Sequence, residues 1–313
     1  MEGIYYNQKG TDMKRYVSID IGGTAIKYGV LNGGGELVCR SEMRTESYKG
    51  GMSILAKAVG IVEQYRQTGA VDGVCISTAG MVDTWKGEIF HAAPLIPRYA
   101  GTKFKETMES RFEVPCEVEN DVNCAGLAES VSGASKGSTS SLMLTVGTGI
   151  GGCAVIDGKV FHGFSNSACE VGYMHMAGSD FQTLGAASIL SRKVAEWKNE
   201  PTENWNGHRI FGEAKKGDAL CIRAIDEMTD VLGQGIANIC YVLNPEVVVL
   251  GGGIMAQEEY LKDRIEKAVE KYLITSIADR TRIAFAKHKN DAGMLGAFYH
   301  FMQRQSLWRE SES

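Results

Sequence analysis

Several features that mark specialised protein classes are missing from this chain. No uninterrupted apolar stretch approaches the roughly 18 residues a membrane-spanning helix needs, and no secretory signal pattern opens the sequence. Neither a membrane nor an exported destination is therefore expected. No block of about five or six like charges occurs, and the formal net charge is -5, which gives no electrostatic reason to bind nucleic acid. The eight cysteines are scattered without a Cys-x-x-Cys pair, so they predict reduced thiols in a cytoplasmic protein rather than a zinc ribbon or a disulfide framework. Also absent are a Walker-type loop, with its lysine opening a helix, and the third glycine of a dinucleotide fingerprint.

What is present is a chain of 313 residues, 44% hydrophobic, enough to bury a substantial core as about two domains. Residues Tyr16 to Ile21 form a β-branched run, Ile26 to Leu31 another, and Asp20-Ile21-Gly22-Gly23-Thr24 turns between them. This pattern predicts a hairpin rather than a strand-to-helix turn. Its glycines let backbone N–H groups approach a phosphate, Thr24 adds a hydroxyl donor, and Asp20 can hold a hydrated metal ion. Lys27 follows on the second strand. A second corner, Gly147-Thr148-Gly149-Ile150-Gly151-Gly152, follows the apolar strand Ser140 to Val146. Two Gly/Thr hairpins, each opening a strand region followed by helix, predict two similar domains facing a shared cleft.

Three further stretches carry polar chemistry. The strand Val71 to Ser77 ends at Gly80, at the strand end where open α/β sheets contact ligands. Glu119-Asn120-Asp121 runs from a strand into the small-residue helix Val122 to Ser130, where Asp121 can act as an N-cap or as an acceptor for a substrate proton. Glu170 lies among small and apolar residues before Tyr173, where it could receive sugar hydroxyls or simply face solvent. The longest amphipathic helix is predicted over Ala219 to Leu243. It leads to the strand Val247 to Leu250 and the triplet Gly251-Gly252-Gly253, which permits a flat ligand face to approach.

Taken together and in order, Asp20 to Lys27, Glu119 to Cys124, Thr145 to Gly152 and Gly251 to Gly253 closely resemble the ROK family of sugar kinases, over about residue 15 to the C-terminal helix. The resemblance implies an α/β protein of two ribonuclease-H-like domains, the actin-like ATPase architecture, with ATP in a central cleft and commonly a homodimer. It assigns Gly22, Gly23, Thr24, Thr148 and Gly149 to phosphates, with Asp20 and Lys27 beside them and Mg²⁺ held through water at Asp20. Gly251, Gly252 and Gly253 would lie by the adenosine. Asp121 would be the base, and Gly80, Asn120, Asp121, Glu170 and Tyr173 would form the sugar side. The implied domains are a flexible extension over 1–14, a small domain over 15–130 joined by a terminal helix over 293–306, and a large domain over 131–292.

Two departures are visible. Tyr173 replaces a family histidine that contacts sugar, and no cysteine cluster follows it, so no structural zinc is expected. The Glu170-Val171-Gly172-Tyr173 stretch looks most like the zinc-free branch that includes β-glucoside kinases, with glucokinase and N-acetylmannosamine kinase as rivals. A transcriptional repressor is disfavoured because at most 14 residues precede the first strand. A sugar- or ATP-sensing regulator without transfer activity would share the same motifs.

Overall fold

The computed structural model describes residues 14–306, so the expected N-terminal extension lies outside the described residues except for Lys14. The chain divides into two compact units: residues 14–128, 162–167 and 290–306 form unit 1, and residues 129–161 and 168–289 form unit 2.

In unit 1, β1 (Arg15–Ile21), β2 (Ala25–Asn32) and β3 (Leu37–Arg44) form an antiparallel meander, after which helix α1 (Gly51–Arg66) leads to β4 (Gly73–Thr78). A small hairpin of β5 (Met81–Asp83) and β6 (Glu88–His91) follows, then α2 (Phe104–Phe112), β7 (Cys116–Asn120) and α3, which starts at Asp121. The sheet order is β3-β2-β1-β4-β7, with β4 parallel to both β1 and β7.

Alternation along β1 explains how both faces of this sheet are covered. Val17, Ile19 and Ile21 join a core with Ile54, Ala58, Ile61 and Val62 of α1. On the other face Tyr16 packs its ring against Phe298 and Phe301 of the C-terminal helix Ala292–Arg304, and Ser18 Oγ donates to the Met294 carbonyl at 2.8 Å. A side chain at Gly296 would run into the Cys124 backbone, so glycine there lets the C-terminal helix approach α3.

Unit 2 repeats this plan. Strands β8 (Ser140–Val146), β9 (Ile150–Ile156) and β10 (Lys159–Val160) form the meander. The hairpin β11 (His175–Met176) and β12 (Ser179–Asp180) precedes four helices, α4 (Phe181–Gly185), α5 (Ala187–Lys198), α6 (Gly207–Lys215) and α7 (Ala219–Leu243). Strand β13 (Val247–Gly251), helices α8 (Glu258–Tyr272) and α9 (Thr275–Ala278), and β14 (Arg282–Phe285) complete it. The order β10-β9-β8-β13-β14, with β13 parallel to β8 and β14, matches that of unit 1 strand for strand. Leu142, Leu144, Val248 and Leu250 bury against Ile225, Leu232 and Ile236 of α7, the apolar stripe that the sequence predicts. Several short elements have no clear sequence signal, among them β11, β12, α4 and α9. The β5–β6 hairpin likewise has strands too short for a visible alternation, and α6 has no sequence expectation although Asn206 caps it by accepting from Arg209 N.

A candidate phosphoryl-transfer site

In unit 1, three parallel strands end side by side. Ile21 pairs with Thr78, and Thr78 with Asn120, so the Gly22-Gly23-Thr24 turn, Gly80 and Asp121 issue from the same edge of one sheet. The first turn is a hairpin as expected, closed by Gly22 N donating to the Ala25 carbonyl. Neither Gly22 nor Gly23 has a positive φ, and a Cβ on Gly23 would meet nothing within 4 Å. The fold does not require glycine at 23, and its open backbone fits a phosphate cradle. Thr45, which the sequence reading missed, holds this corner from β3's end: its N–H donates to Thr24 O at 2.9 Å and its hydroxyl to Gly22 O at 2.6 Å.

Asp20 lies across from Lys27 in the β1–β2 register and accepts from Ser77 Oγ at 2.7 Å. Burial pushes its carboxyl upward, against the Ser77 bond and the Lys27 charge, which pull it down. One carboxylate next to an open backbone cradle suits Mg²⁺, which keeps most of its water and takes its other ligands from phosphate. Among the described residues no group of three or more His, Cys, Asp or Glu side chains is placed to hold a metal ion by itself. Lys27 Nζ reaches Asn290 Oδ1 at 3.2 Å.

The Asn120-Asp121 pair is built differently from the N-cap reading of Asp121. Asn120 does the capping, its Oδ1 accepting from Val122 N at 2.9 Å and Asn123 N at 3.1 Å. Asp121 is the first residue of α3, and its Oδ1 accepts from Val122 N at 3.0 Å and from Asn120 Nδ2 at 3.1 Å. Asn120 Nδ2 also donates to the Gly80 carbonyl at 2.9 Å. Two donor and two acceptor positions of the Asn120 amide are thereby all used, so its direct effect is to aim Asp121. Gly80 has φ 96°, and a Cβ there would lie 2.9 Å from His91 O. Turn geometry alone accounts for that glycine.

Unit 2 presents the second glycine corner. Gly147 N donates to Gly149 O at 2.9 Å, Ala187 N to Gly147 O at 2.9 Å, and Ser188 Oγ to Thr148 O at 2.9 Å, so the start of α5 fixes the turn. A Cβ on Gly147 would meet nothing within 4 Å, the same openness as at Gly23. Gly251 pairs with Thr145 in the β13–β8 register, and Gly252, at φ 101°, packs its Cα against the Val146 backbone. The Gly251-Gly252-Gly253 segment therefore sits beside the Gly147-Thr148-Gly149 turn, as a nucleotide-binding pair of loops would require. Glu170 and Tyr173 are both exposed, at either end of a short turn in which Tyr173 N donates to Glu170 O at 3.2 Å. Gly172 lies buried beneath them, against Ile150 O.

The sequence reading also passed over Glu119, named there only as part of its motif. This side chain is 1% exposed and gathers Asn120 N, Asn123 Nδ2, His162 Nε2 and His300 Nδ1 around its carboxylate. Burial pushes it up, but His300, His162 and the Asn123 amide outweigh that and hold it below the usual carboxylate range. His162 and His300 belong to no motif. Only the appearance of glutamate at two alternate positions of β7, Glu117 and Glu119, hints at a polar partner on that face.

Comparison with known proteins identifies the chain's relatives. The ROK family profile matches residues 16–304. An uncharacterised protein of Clostridium perfringens is 48% identical over 291 residues, covering 93% of this chain and 99% of its own length. The β-glucoside kinase of Listeria monocytogenes is 31% identical over 300 residues, 93% of this chain and 99% of that one. The solved ROK hexokinase from Thermus thermophilus superposes with a TM-score of 0.80 at 27% identity, over 93% and 99% of the two chains. The matching strand orders of the two sheets, the paired glycine corners and this agreement along nearly the whole chain lead to one conclusion: the protein belongs to the ROK family.

Proposed function

We propose that this protein is an ATP- and Mg²⁺-dependent sugar kinase that phosphorylates a primary hydroxyl of a hexose or β-glucoside, with Asp121 as the base. The observation that carries the reading is the aim of Asp121. It sits at the end of β7 on the first turn of α3, with one carboxylate oxygen held by Asn120 Nδ2 and Val122 N. A carboxylate fixed in this way is suited to take a proton from a hydroxyl as that hydroxyl attacks phosphorus.

Bound ATP and Mg²⁺ would supply the phosphoryl group and neutralise part of its charge. The chain's own contribution is positioning and electrostatics. The backbone N–H groups of Gly22, Gly23 and Thr24, and those of Thr148 and Gly149, offer donors to phosphate oxygens; Gly251, Gly252 and Gly253 leave room for the adenosine; Asp20 holds the hydrated ion. On the sugar side Asn120 acts through Asp121 and Gly80, while Glu170 and Tyr173 offer an acceptor and a phenol to sugar hydroxyls. The β-glucoside kinases among the relatives support a preference for β-glucosides.

The test is ADP release in a coupled assay with glucose, N-acetylmannosamine, N-acetylglucosamine, cellobiose and an aryl β-glucoside. The expected result is turnover with at least one, highest with a β-glucoside. Asp121→Ala should reduce kcat by about 10²- to 10⁴-fold, the range of general-base catalysis, with sugar affinity by calorimetry largely kept. Undiminished turnover in that variant would remove Asp121 from the role. Sugar binding without ADP release from any of the five would favour a sensor.

A further inference from the structure

We propose that Glu119, clamped by His162, is a positioning residue that holds the Asn120–Asp121 segment for proton transfer, an inference that rests on Asp121 being the base. The geometry begins with β7, whose alternation sends Cys116 and Val118 into the apolar core of unit 1 and brings Glu117 and Glu119 to residues of the C-terminal helix. One oxygen of Glu119 accepts from Asn120 N at 2.7 Å and from Asn123 Nδ2 at 3.0 Å. These two donors flank Asp121 in the chain, so the carboxylate brackets the base from both sides. The other oxygen takes His162 Nε2 at 2.6 Å and lies 3.4 Å from His300 Nδ1.

Contact distance assigns His162 its part. The fixed cations on this face belong to Glu117: Lys105 Nζ at 2.9 Å and Arg304 Nε at 3.8 Å, with the Gln305 amide at 2.6 Å. The basic groups against Glu119 are the two imidazoles, and a buried carboxylate without a cation is costly. His300 is buried, and that burial pulls its pKa down against the opposing pull of Glu119. The His162 side chain is 26% exposed, and its Nε2 makes the shorter contact, 2.6 Å against 3.4 Å for His300 Nδ1, so it is the closer hold on the carboxylate. Helix capping gives no reason for this arrangement, since Asn120 already caps α3. What Glu119 adds is a second hold on the backbone and on Asn123, and hence on the direction of Asp121.

The experiment compares the full-length wild type with Glu119→Gln, His162→Ala and His162→Gln, reading kcat, the KM for ATP and amide hydrogen exchange. Small misplacement of a reacting group is enough to cost about 10²-fold. Glu119→Gln and His162→Ala should therefore lower kcat by about 10- to 100-fold while the KM for ATP stays within about twofold. Exchange should quicken at Asn120, Val122 and Asn123. His162→Gln, whose amide can donate from a similar place, should recover kcat to within about threefold of wild type. The proposal is overturned if His162→Ala keeps wild-type kcat, or if kcat and ATP binding fall together with faster exchange throughout unit 1, which marks general loosening. Should Glu119→Gln fail to fold, the two variants of partly exposed His162 decide the matter. A wild type that transfers no phosphoryl group would end the base assignment separately. Faster exchange confined to Asn120 through Asn123 would then still support the clamp, and unchanged exchange would reject it.

Discussion

At the scale of single residues, the site depends on side chains that hold backbone as much as on those that face a ligand. Thr45 is the clearest case, because it is fully buried and its two hydrogen bonds end on Thr24 O and Gly22 O. Thr45→Val removes the hydroxyl bond and keeps the shape. A neutral hydrogen bond contributes about 1 kcal/mol, so the KM for ATP should rise by about fivefold at most with kcat for saturated enzyme little changed. A steady-state titration of ATP checks this, and an unchanged KM would show that the corner keeps its shape without Thr45. The two Gly/Thr corners are legible in the sequence because apolar runs flank the glycines and the pattern recurs in the second half of the chain. Thr45 and His162 are not, since each acts across a long sequence separation that no local pattern encodes. Of the two roles open to Asp121 in the sequence, cap or proton acceptor, the cap falls to Asn120 instead. Asn120 and Asp121 are both good capping residues, and only the helix start decides between them.

At the scale of elements, periodicity carried most of the reading. A long apolar stripe ending at Asn244-Pro245 predicts α7 over Ala219 to Leu243, the bounds observed. The hairpin β5–β6 was missed because three or four residues hold too little alternation to count. Helix α7 also carries a pH-dependent cap. Asp218 accepts from Leu220 N and Cys221 N and pairs with Lys198 at 2.6 Å. Lys198, and then the Cys221 N–H, hold its carboxyl down at about 2. Because the folded value is depressed, the stabilisation is complete above the unfolded-chain value of about 3.9 and is lost as pH falls toward about 2. Asp218→Asn keeps a capping oxygen but no charge. Its urea midpoint should lie below wild type at pH 7, and the gap should close between about pH 4 and pH 2. A gap independent of pH would mean that the charge contributes nothing.

At the scale of the whole molecule, the two units share one strand order, and each Gly/Thr corner read from the sequence falls at the matching place of its sheet. The units differ in how the chain supplies them. Unit 2 is built from residues 129–161 and 168–289, while unit 1 draws its C-terminal helix from beyond residue 289. That helix covers Tyr16, Ser18 and Gly73, the last with Phe301 against its Cα. Ending the chain at Lys289 should therefore expose one face of the unit 1 sheet and abolish amide protection in β1 and β4, while β8 and β13 stay protected. Hydrogen exchange followed by peptide mass analysis reads both at once, and retained protection in β1 would show that the helix is dispensable for the sheet.

The placement of that helix also sets an order of events during translation. The strands of unit 1 leave the ribosome first, yet the helix that covers one face of their sheet emerges only after all of unit 2 has been made. For that interval an apolar sheet surface is open to solvent and to other nascent chains, the condition under which aggregation competes with folding. A cell making this protein quickly would thus place its heaviest demand on chaperones through the strands of unit 1, which are synthesised ahead of the helix that covers them.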